Sequence, residues 1–132
     1  MIFVATRQNH DLRRSLNEMK TLERLQNWYT EQCDGDWEHH RGISIQSCDN
    51  PGWWVKIELA GTALENKVFQ PIEHNVSLAQ TQRIAAGLEG DPCDRGDDWM
   101  LCHVRGKVFD GAGGPDKLDT ILGVFLDWAE ET

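Results

Sequence analysis

Thiol, carboxylate and imidazole groups are concentrated in one short segment of this sequence, from Cys33 to His40. These are the groups that bind zinc and iron in proteins. Their spacing matches no established ligand pattern, and along a strand the side chains of His39 and His40 would point to opposite faces. The sequence therefore favours a turn followed by a solvated strand. A small metal-dependent enzyme that uses the 33–40 cluster is kept as an alternative hypothesis.

A second candidate for chemistry is the adjacent pair Cys102 and His103. A thiol beside an imidazole base is one arrangement for nucleophilic catalysis. Neighbouring residues of a strand point to opposite faces, so these two side chains cannot reach each other. We predict a buried thiol at Cys102 and an exposed ring at His103. The four cysteines include no C-x-x-C pair, and each is expected to be a free thiol.

The third candidate is the glycine-rich segment 111–114, which precedes the last helical pattern and resembles an anion-binding nest. It lacks the Lys-Ser/Thr pair of a phosphate-binding P-loop. The neighbouring carboxylates of Asp110 and Asp116 would also repel a phosphate. A tight connection between a strand and a helix is favoured, with a small module for anionic ligands as the alternative. No cofactor is predicted.

The elements that would position these groups begin with an amphipathic helix. Leu22, Leu25 and Trp28 recur at helical spacing, which predicts a helix over 18–32. The polar cluster after it ends the helix, with Gly35 as a left-handed residue just past the end.

Two alternating runs, 37–46 and 53–59, predict an antiparallel hairpin joined by a turn at 49–52. In this pattern the apolar side chains of the second run share one face. Trp54 and Glu58 lie on the other face.

The rest of the chain predicts a short edge strand at 68–73, a short helix at 78–86 and a strand at 99–105 with a brief return at 108–109. The final helix is expected to have Pro115 in its first turn. Together these patterns predict an α+β fold. It is a single domain with an antiparallel sheet of about four to five strands and an amphipathic helix near each end.

The net charge of the chain limits the classes of partner that it is expected to bind. The 132 residues carry a formal net charge of -9, from 13 basic and 22 acidic side chains. A field of this sign repels phosphate backbones, so nucleic acid is not an expected partner, and a basic protein is. No apolar run approaches the roughly 20 residues that span a bilayer, so no membrane association is expected and a cytoplasmic location is predicted.

Acids and tryptophans together suggest where such a partner would bind. The sequence has six tryptophans, and most stand beside acids or glycine turns. An exposed Trp54 near Glu38 and Glu58 across the hairpin would be an aromatic anchor surrounded by carboxylates, which suits a basic partner. A merely solubilising face is the alternative. The candidate binding residues are Asp34, Asp36, Glu38, His40, Trp54, Glu58, Asp97 and Asp98.

Four stretches of the sequence resemble the Immunity protein 53 family. They are LQNWY at 25–29, QCDGDWEH at 32–39, DNPGW at 49–53 and VFDGAGGP at 108–115, the last followed by the closing helix. These are small bacterial proteins associated with polymorphic toxin systems. The resemblance implies a protein that binds and neutralises a cognate toxin made by the same cell. If that toxin is a nuclease, the acids would mimic phosphates.

The resemblance does not cover the whole chain. Residues 1–18 are expected to be a poorly ordered arm, and Met19 is an alternative to Met1 as the start of translation. Residues 19–132 are expected to form one immunity-like domain with a loop insertion around 76–97. The resemblance supplies no catalytic residue, so the predicted function is a non-enzymatic inhibitor.

Overall fold

A computed structural model describes residues 20–49, 51–79 and 97–131 of the chain. In these ranges the chain forms helices before and after a set of antiparallel strands, which is the predicted α+β fold. The elements are, in chain order, α1 (Thr21–Gln32), α2 (Trp37–His40), β1 (Ile43–Cys48), β2 (Gly52–Glu58), β3 (Ile72–His74), β4 (Met100–Arg105), β5 (Val108–Gly113) and α3 (Leu118–Glu130).

The strands form one sheet in the order β1-β2-β5-β4-β3, with every neighbouring pair antiparallel. The predicted hairpin is present, with Ile45 opposite Val55. A second hairpin joins β4 to β5 through Gly106 and Lys107, whose φ angles of 57° and 65° are both positive. Two positive φ angles in a two-residue loop match the right-handed twist of the flanking strands. The closing helix of the chain then returns across the sheet.

One face of the sheet, which we call the helix face, carries the apolar side chains that α3 covers. Val55, Gly111 and Cys102 lie side by side in register on this face and are buried. Aromatic rings fill the space between sheet and helices. The rings of Trp28 and Phe125 meet edge to face with centroids 5.0 Å apart, a geometry that adds roughly 0.5–1.5 kcal/mol to burial. The buried residues of α3 form one apolar stripe, as expected for an amphipathic helix: Ile121, Leu122, Phe125, Leu126 and Trp128.

Three of the six tryptophans hold neighbouring loops through their indole N–H groups. Trp37 Nε1 donates to the carbonyl oxygen of Ala60 at 3.1 Å, and Trp128 Nε1 donates to that of Val68 at 2.8 Å. Trp37 and Trp128 are both buried. A buried indole needs such a partner, because an unpaired N–H away from water is costly. These tryptophans are therefore explained by the fold.

The two long helices are joined by a charged contact at their surface. The guanidinium of Arg24 on α1 binds both oxygens of Glu130, with distances of 2.7 and 3.1 Å, and Asp127 Oδ1 at 2.9 Å. The Arg24 side chain is largely buried. Two-point binding of arginine to a carboxylate fixes orientation as well as distance, so this contact sets how α1 lies against α3.

The prediction of a strand starting at residue 37 was wrong, because Trp37–His40 is a turn of helix and β1 begins at Ile43. Local side chains cause the difference. Asp34 Oδ1 accepts hydrogen bonds from the backbone N–H groups of Asp36 and Trp37, both at 2.9 Å. Side-chain acceptors of this kind favour the start of a helix over a strand. Gly35 has the predicted left-handed conformation, with a φ of 92°.

The predicted connection at 111–114 was also wrong, because Gly111–Gly113 continue β5 and the last helix begins only at Leu118, beyond Pro115. Glycine is required here for close packing. A Cβ at Gly111 would lie 2.5 Å from Cγ2 of Ile121, and one at Gly113 would lie 2.8 Å from Cβ of Lys117. The glycines therefore let the last helix and the chain before it approach the sheet closely.

The other predicted helices and strands are compared with the structure by their first and last residues. The edge strand predicted at 68–73 is β3, Ile72–His74, which forms after Pro71 because proline cannot donate to the ladder. Most of the helix predicted at 78–86 and of the insertion around 76–97 lies outside the described residues, as does the arm at 1–18. The strand predicted at 99–105 is confirmed as β4.

Two glycine substitutions of opposite effect test the packing at Gly111. Gly111→Ala forces a methyl group against Ile121, and we expect it to lower the free energy of unfolding by about 1–3 kcal/mol. Gly123→Ala is the matched control, because it lies within α3 with open space around its Cβ position. It should raise stability by about 0.5–1 kcal/mol. Urea unfolding measures both, and a neutral Gly111→Ala would contradict the close-packing role.

Candidate protein-binding surface

The sheet face opposite the helix face, which we call the second face, displays polar and charged side chains. The alternation of the strands places them in register, so that Gln46 lies opposite Trp54, and Lys56 opposite Asp110. Its members are Ser44, Gln46, Trp54, Lys56, Glu58, Leu101, His103, Arg105, Val108, Asp110 and Ala112. The face is exposed over β1, half-exposed over much of β2 and buried at Leu101.

Trp54 stands on this face with 37% of its surface exposed. Its Nε1 donates to Asp110 Oδ1 at 2.8 Å, and Asp110 is itself only 8% exposed. The ammonium group of Lys56 lies 4.1 Å from the centre of the indole ring, within the range of a cation–π contact. The indole is therefore held in one orientation while part of it stays accessible, as an anchor for a partner requires.

A cleft of about 520 Å³ adjoins the second face where α2 meets β1. Its charged lining is mostly basic. Arg41 and Lys56 contribute positive charge, and the carboxylate of Glu58 accepts a hydrogen bond from the backbone N–H of Gly42 at 2.9 Å. The complete lining is His39, His40, Arg41, Gly42, Ile43, Ser44, Lys56, Glu58 and Val108. A protein of net charge -9 thus carries a cleft with local basic character.

Three of the predicted binding acids belong to the turn between α1 and α2. Asp34 receives the backbone N–H groups described above, and Glu38 accepts those of Asp34 and Gly35 at 2.9 and 2.7 Å. Asp36 is highly exposed and lies 3.5 Å from Nδ1 of His40. Asp34 and Glu38 therefore stabilise the turn and the start of α2, whereas the Asp36 side chain makes no capping hydrogen bond, and none of the three is buried.

Hydrogen bonds from the backbone keep the carboxyl groups of Asp34 and Glu38 ionised. The backbone N–H of Trp37, followed by that of Asp36, lowers the pKa of Asp34 below its ordinary value. Backbone hydrogen bonds, its own N–H first, also lower the pKa of Glu38. Both groups therefore carry full negative charge at neutral pH.

Asp98 lies in a different cluster, near the start of β4. Its carboxylate is 2.8 Å from Nε2 of His74 and 3.1 Å from Nζ of Lys117, and its backbone oxygen accepts from Asn75. The contact with His74, followed by that with Lys117, lowers the pKa of Asp98. Its neighbour Asp97 is also exposed. This cluster ties the start of β4 to β3 and to the chain before α3.

The predicted acids therefore do not form one patch around Trp54. The α1–α2 turn adjoins the end of β2, because Trp37 binds Ala60, whereas Asp98 lies near its start, where Trp53 pairs with Gly113. At about 3.3 Å per residue, β2 separates the two groups by roughly 20 Å. Trp54 is near the hairpin turn. Glu58 is further along the same strand, at its other end. Glu38 belongs to the helical turn α2 and not to the hairpin, so it lies beyond the end of β1 that is far from the hairpin turn.

The other candidates for chemistry are accounted for by packing. Cys102 is fully buried on the helix face, and burial raises the pKa of its thiol to about 12. His103 lies on the second face, so the predicted separation of the two side chains is confirmed, but its ring is half-buried and not exposed as predicted. Across residues 20–49, 51–79 and 97–131, no three His, Cys, Asp or Glu side chains are grouped so as to hold a metal ion.

Sequence reasoning missed Asp110, the buried partner of Trp54, and the basic lining of the cleft. A signal for Asp110 was present, because it alternates with Val108 and Ala112 once β5 is extended through its glycines. The cleft had no comparable signal. It depends on α2 bringing Arg41 beside Lys56, and α2 itself was not predicted.

These features define a small α+β protein with one sheet face covered by helices and a second face that displays polar and charged side chains. The family model of Immunity protein 53 matches residues 22–130, and the chain belongs to that family. An immunity protein implies a toxin partner. No curated protein and no solved structure matches the chain. Among the described helices, none is long and apolar enough to cross a membrane.

The pKa shifts of the α1–α2 turn predict acid sensitivity. A carboxylate whose pKa is lower in the folded state stabilises the protein above its ordinary pKa, and this contribution is lost as the pH falls through the folded value. Asp34→Asn removes one such group. We expect its free energy of unfolding to fall less than that of the natural protein between about pH 6 and about pH 3.

Chemical unfolding at a series of pH values checks this prediction. Asp36→Asn is the control, because the Asp36 side chain makes no capping hydrogen bond. Equal acid sensitivity in the Asp34→Asn variant and the natural protein would count against the proposed role of the carboxylate.

Proposed function

We propose that this immunity protein neutralises a cognate toxin domain of a polymorphic toxin system by binding it and covering its active surface, without chemical turnover. Membership of the Immunity protein 53 family supports a toxin as the partner. The acting unit is one domain over residues 19–132, in keeping with the family match over 22–130. Its place of action is the cytoplasm of the cell that makes the toxin.

The observation that carries the proposed binding surface is the setting of Trp54. Three other tryptophans use their N–H groups to hold loops, namely Trp37, Trp53 and Trp128. Trp54 instead donates its N–H to the nearly buried Asp110, which fixes the orientation of its partly exposed ring on the sheet. Rigid aromatic side chains lose little entropy on binding, which is why they dominate the energetics of protein interfaces.

In this proposal, different parts of the protein provide the long-range attraction of the toxin and the close contact with it. The net charge of -9 draws a basic toxin toward the protein and raises the association rate. The acids at the two ends of β2 contribute to this field, because their lowered pKa values keep them ionised. Nucleases are one class of basic toxin that such a field would attract. The close contact is made at Trp54 and the neighbouring side chains of β1.

Three substitutions test the proposed surface. Trp54→Ala removes the anchor and should weaken binding by about 2 kcal/mol or more, roughly 30-fold. Gln46→Arg places a bulky cation on an exposed position opposite Trp54 and should also weaken binding by at least about tenfold. Leu22→Ala is the control, because Leu22 is an exposed apolar residue on α1. Its affinity should stay within about twofold.

Calorimetry with the toxin domain encoded beside this gene measures these affinities, and thermal melts check the fold of each variant. Growth of cells that express the toxin provides the functional readout. If the natural protein fails to bind and to protect against that toxin, the proposed function is wrong. If it protects but Trp54→Ala and Gln46→Arg bind normally, the toxin binds elsewhere on the protein.

A further inference from the structure

The edge strand β1 lacks the usual protection against pairing with another chain. Its residues from Ile43 to Cys48 include no charged residue and no proline, and those from Ser44 to Ser47 are exposed. In the described part of the sheet, β1 pairs with β2 alone. Natural proteins usually interrupt such an edge with lysine, proline or a bulge, because its unpaired backbone groups accept any extended chain. An open edge of this composition suggests a partner strand.

The register shows which backbone groups of β1 face outward. The N–H of Glu58 donates to the carbonyl oxygen of Gly42 at 3.1 Å, just before the ladder begins. In an antiparallel ladder, hydrogen-bonded and non-hydrogen-bonded pairs alternate. Ser44 and Gln46 therefore use their backbone groups toward β2. The backbone groups of Ile43, Ile45 and Ser47 point away from the sheet, where another strand would pair.

The open edge is continuous with the other features of the binding surface. Ile43 and Ser44 line the basic cleft, and Gln46 lies opposite Trp54. A strand added beside β1 would place alternate side chains on the second face, next to the cleft. Arg41 and Lys56 outnumber Glu58, the one carboxylate that lines the cleft, and Glu58 is already bonded to the backbone N–H of Gly42, so the two cations would accept a second carboxylate there.

We infer that β1 is the docking edge for an extended segment of the toxin, which adds a strand to the sheet and directs an acidic side chain toward the cleft of Arg41 and Lys56. This inference rests on the proposed function and specifies the form of the partner. A second copy of this chain is a poorer occupant, because each copy carries a net charge of -9 and like charges repel. The toxin is thus basic overall and acidic at this contact.

Amide hydrogen exchange tests the docking edge directly. In the free protein the outward N–H groups of Ile43, Ile45 and Ser47 should exchange rapidly, and in the toxin complex they should exchange at least about 100-fold more slowly. The N–H groups of Ser44 and Gln46 serve as internal references, because they are bonded to β2 in both states. Unchanged exchange at the outward positions in a saturated complex would overturn the inference.

Two other outcomes are separable in the same experiment. Protection that appears in the free protein and grows with its concentration would show pairing between copies, which also overturns the inference. If no complex forms with the toxin, the proposed function itself fails.

A proline substitution tests the backbone contact by affinity. Ser47→Pro removes one outward N–H and leaves the bonds to β2 in place, and edge strands tolerate proline at such positions. We expect toxin binding at least about tenfold weaker, whereas Ser47→Ala should bind within about twofold of the natural protein. Circular dichroism and melting temperature show whether the proline variant folds. A folded variant with normal affinity contradicts strand addition, and hydrogen exchange on the natural protein decides the question if it does not fold.

Charge reversal tests the acidic contact. Arg41→Glu should weaken toxin binding at least about tenfold, and the loss should shrink at high salt. Lys20→Glu makes the same change of charge at the exposed start of α1, away from the cleft, and should lower affinity less than about twofold. Equal affinities for the two variants would show that the cleft does not receive an acidic side chain.

Discussion

The approach of α3 to β5 is the constraint on which the rest of the structure depends. A methyl group at Gly111 would meet Ile121, so only glycine lets the helix axis come this close. The close approach brings Phe125 and Trp128 into the aromatic cluster with Phe109 and Trp28. Arg24 of α1 binds two carboxylates of α3, so the placement of α1 follows from the placement of α3. All of these helices lie on one side, so the described helices cover neither the second face nor the β1 edge.

Indole chemistry accounts for four of the six tryptophans in this small protein. Trp99 differs, because its indole N–H is buried and has no hydrogen-bond partner in the described part of the chain. A tryptophan combines a large apolar surface with one hydrogen-bond donor, so it can enter the core and hold a loop at once. Trp37 and Trp128 do this for the chain after β2, at Ala60 and Val68. Trp54 uses the same donor on the second face. Its partner Asp110 is a nearly buried acid that also lies 3.4 Å from Arg105, so the anchor and its support form one polar network.

Periodicity predicted those parts of the fold in which side chains pack against a layer. The helix α1 and the strand β2 were foreseen because their buried residues repeat at helical spacing in α1 and at every second position in β2. The α2 turn was missed because Asp34 and Glu38 bind the backbone locally, which leaves no periodic signal. Of the candidate site, the sequence predicted Trp54 and two residues of the cleft lining, His40 and Glu58. Its cleft and the separation of the acids by the length of β2 depend on register, which a single sequence does not specify.

If the toxin binds as proposed, the opposite signs of the overall charge and of the cleft would let this surface select among partners. An acidic protein attracts many basic partners, and attraction alone distinguishes poorly among them. A partner that must also present an extended strand with a carboxylate beside Arg41 and Lys56 is far rarer. A basic protein that lacks this acid would place its own positive charge against the cleft, and juxtaposed like charges are strongly unfavourable at a contact. In the proposed complex the field would set how fast toxins arrive, and the edge and cleft would decide which of them remains bound.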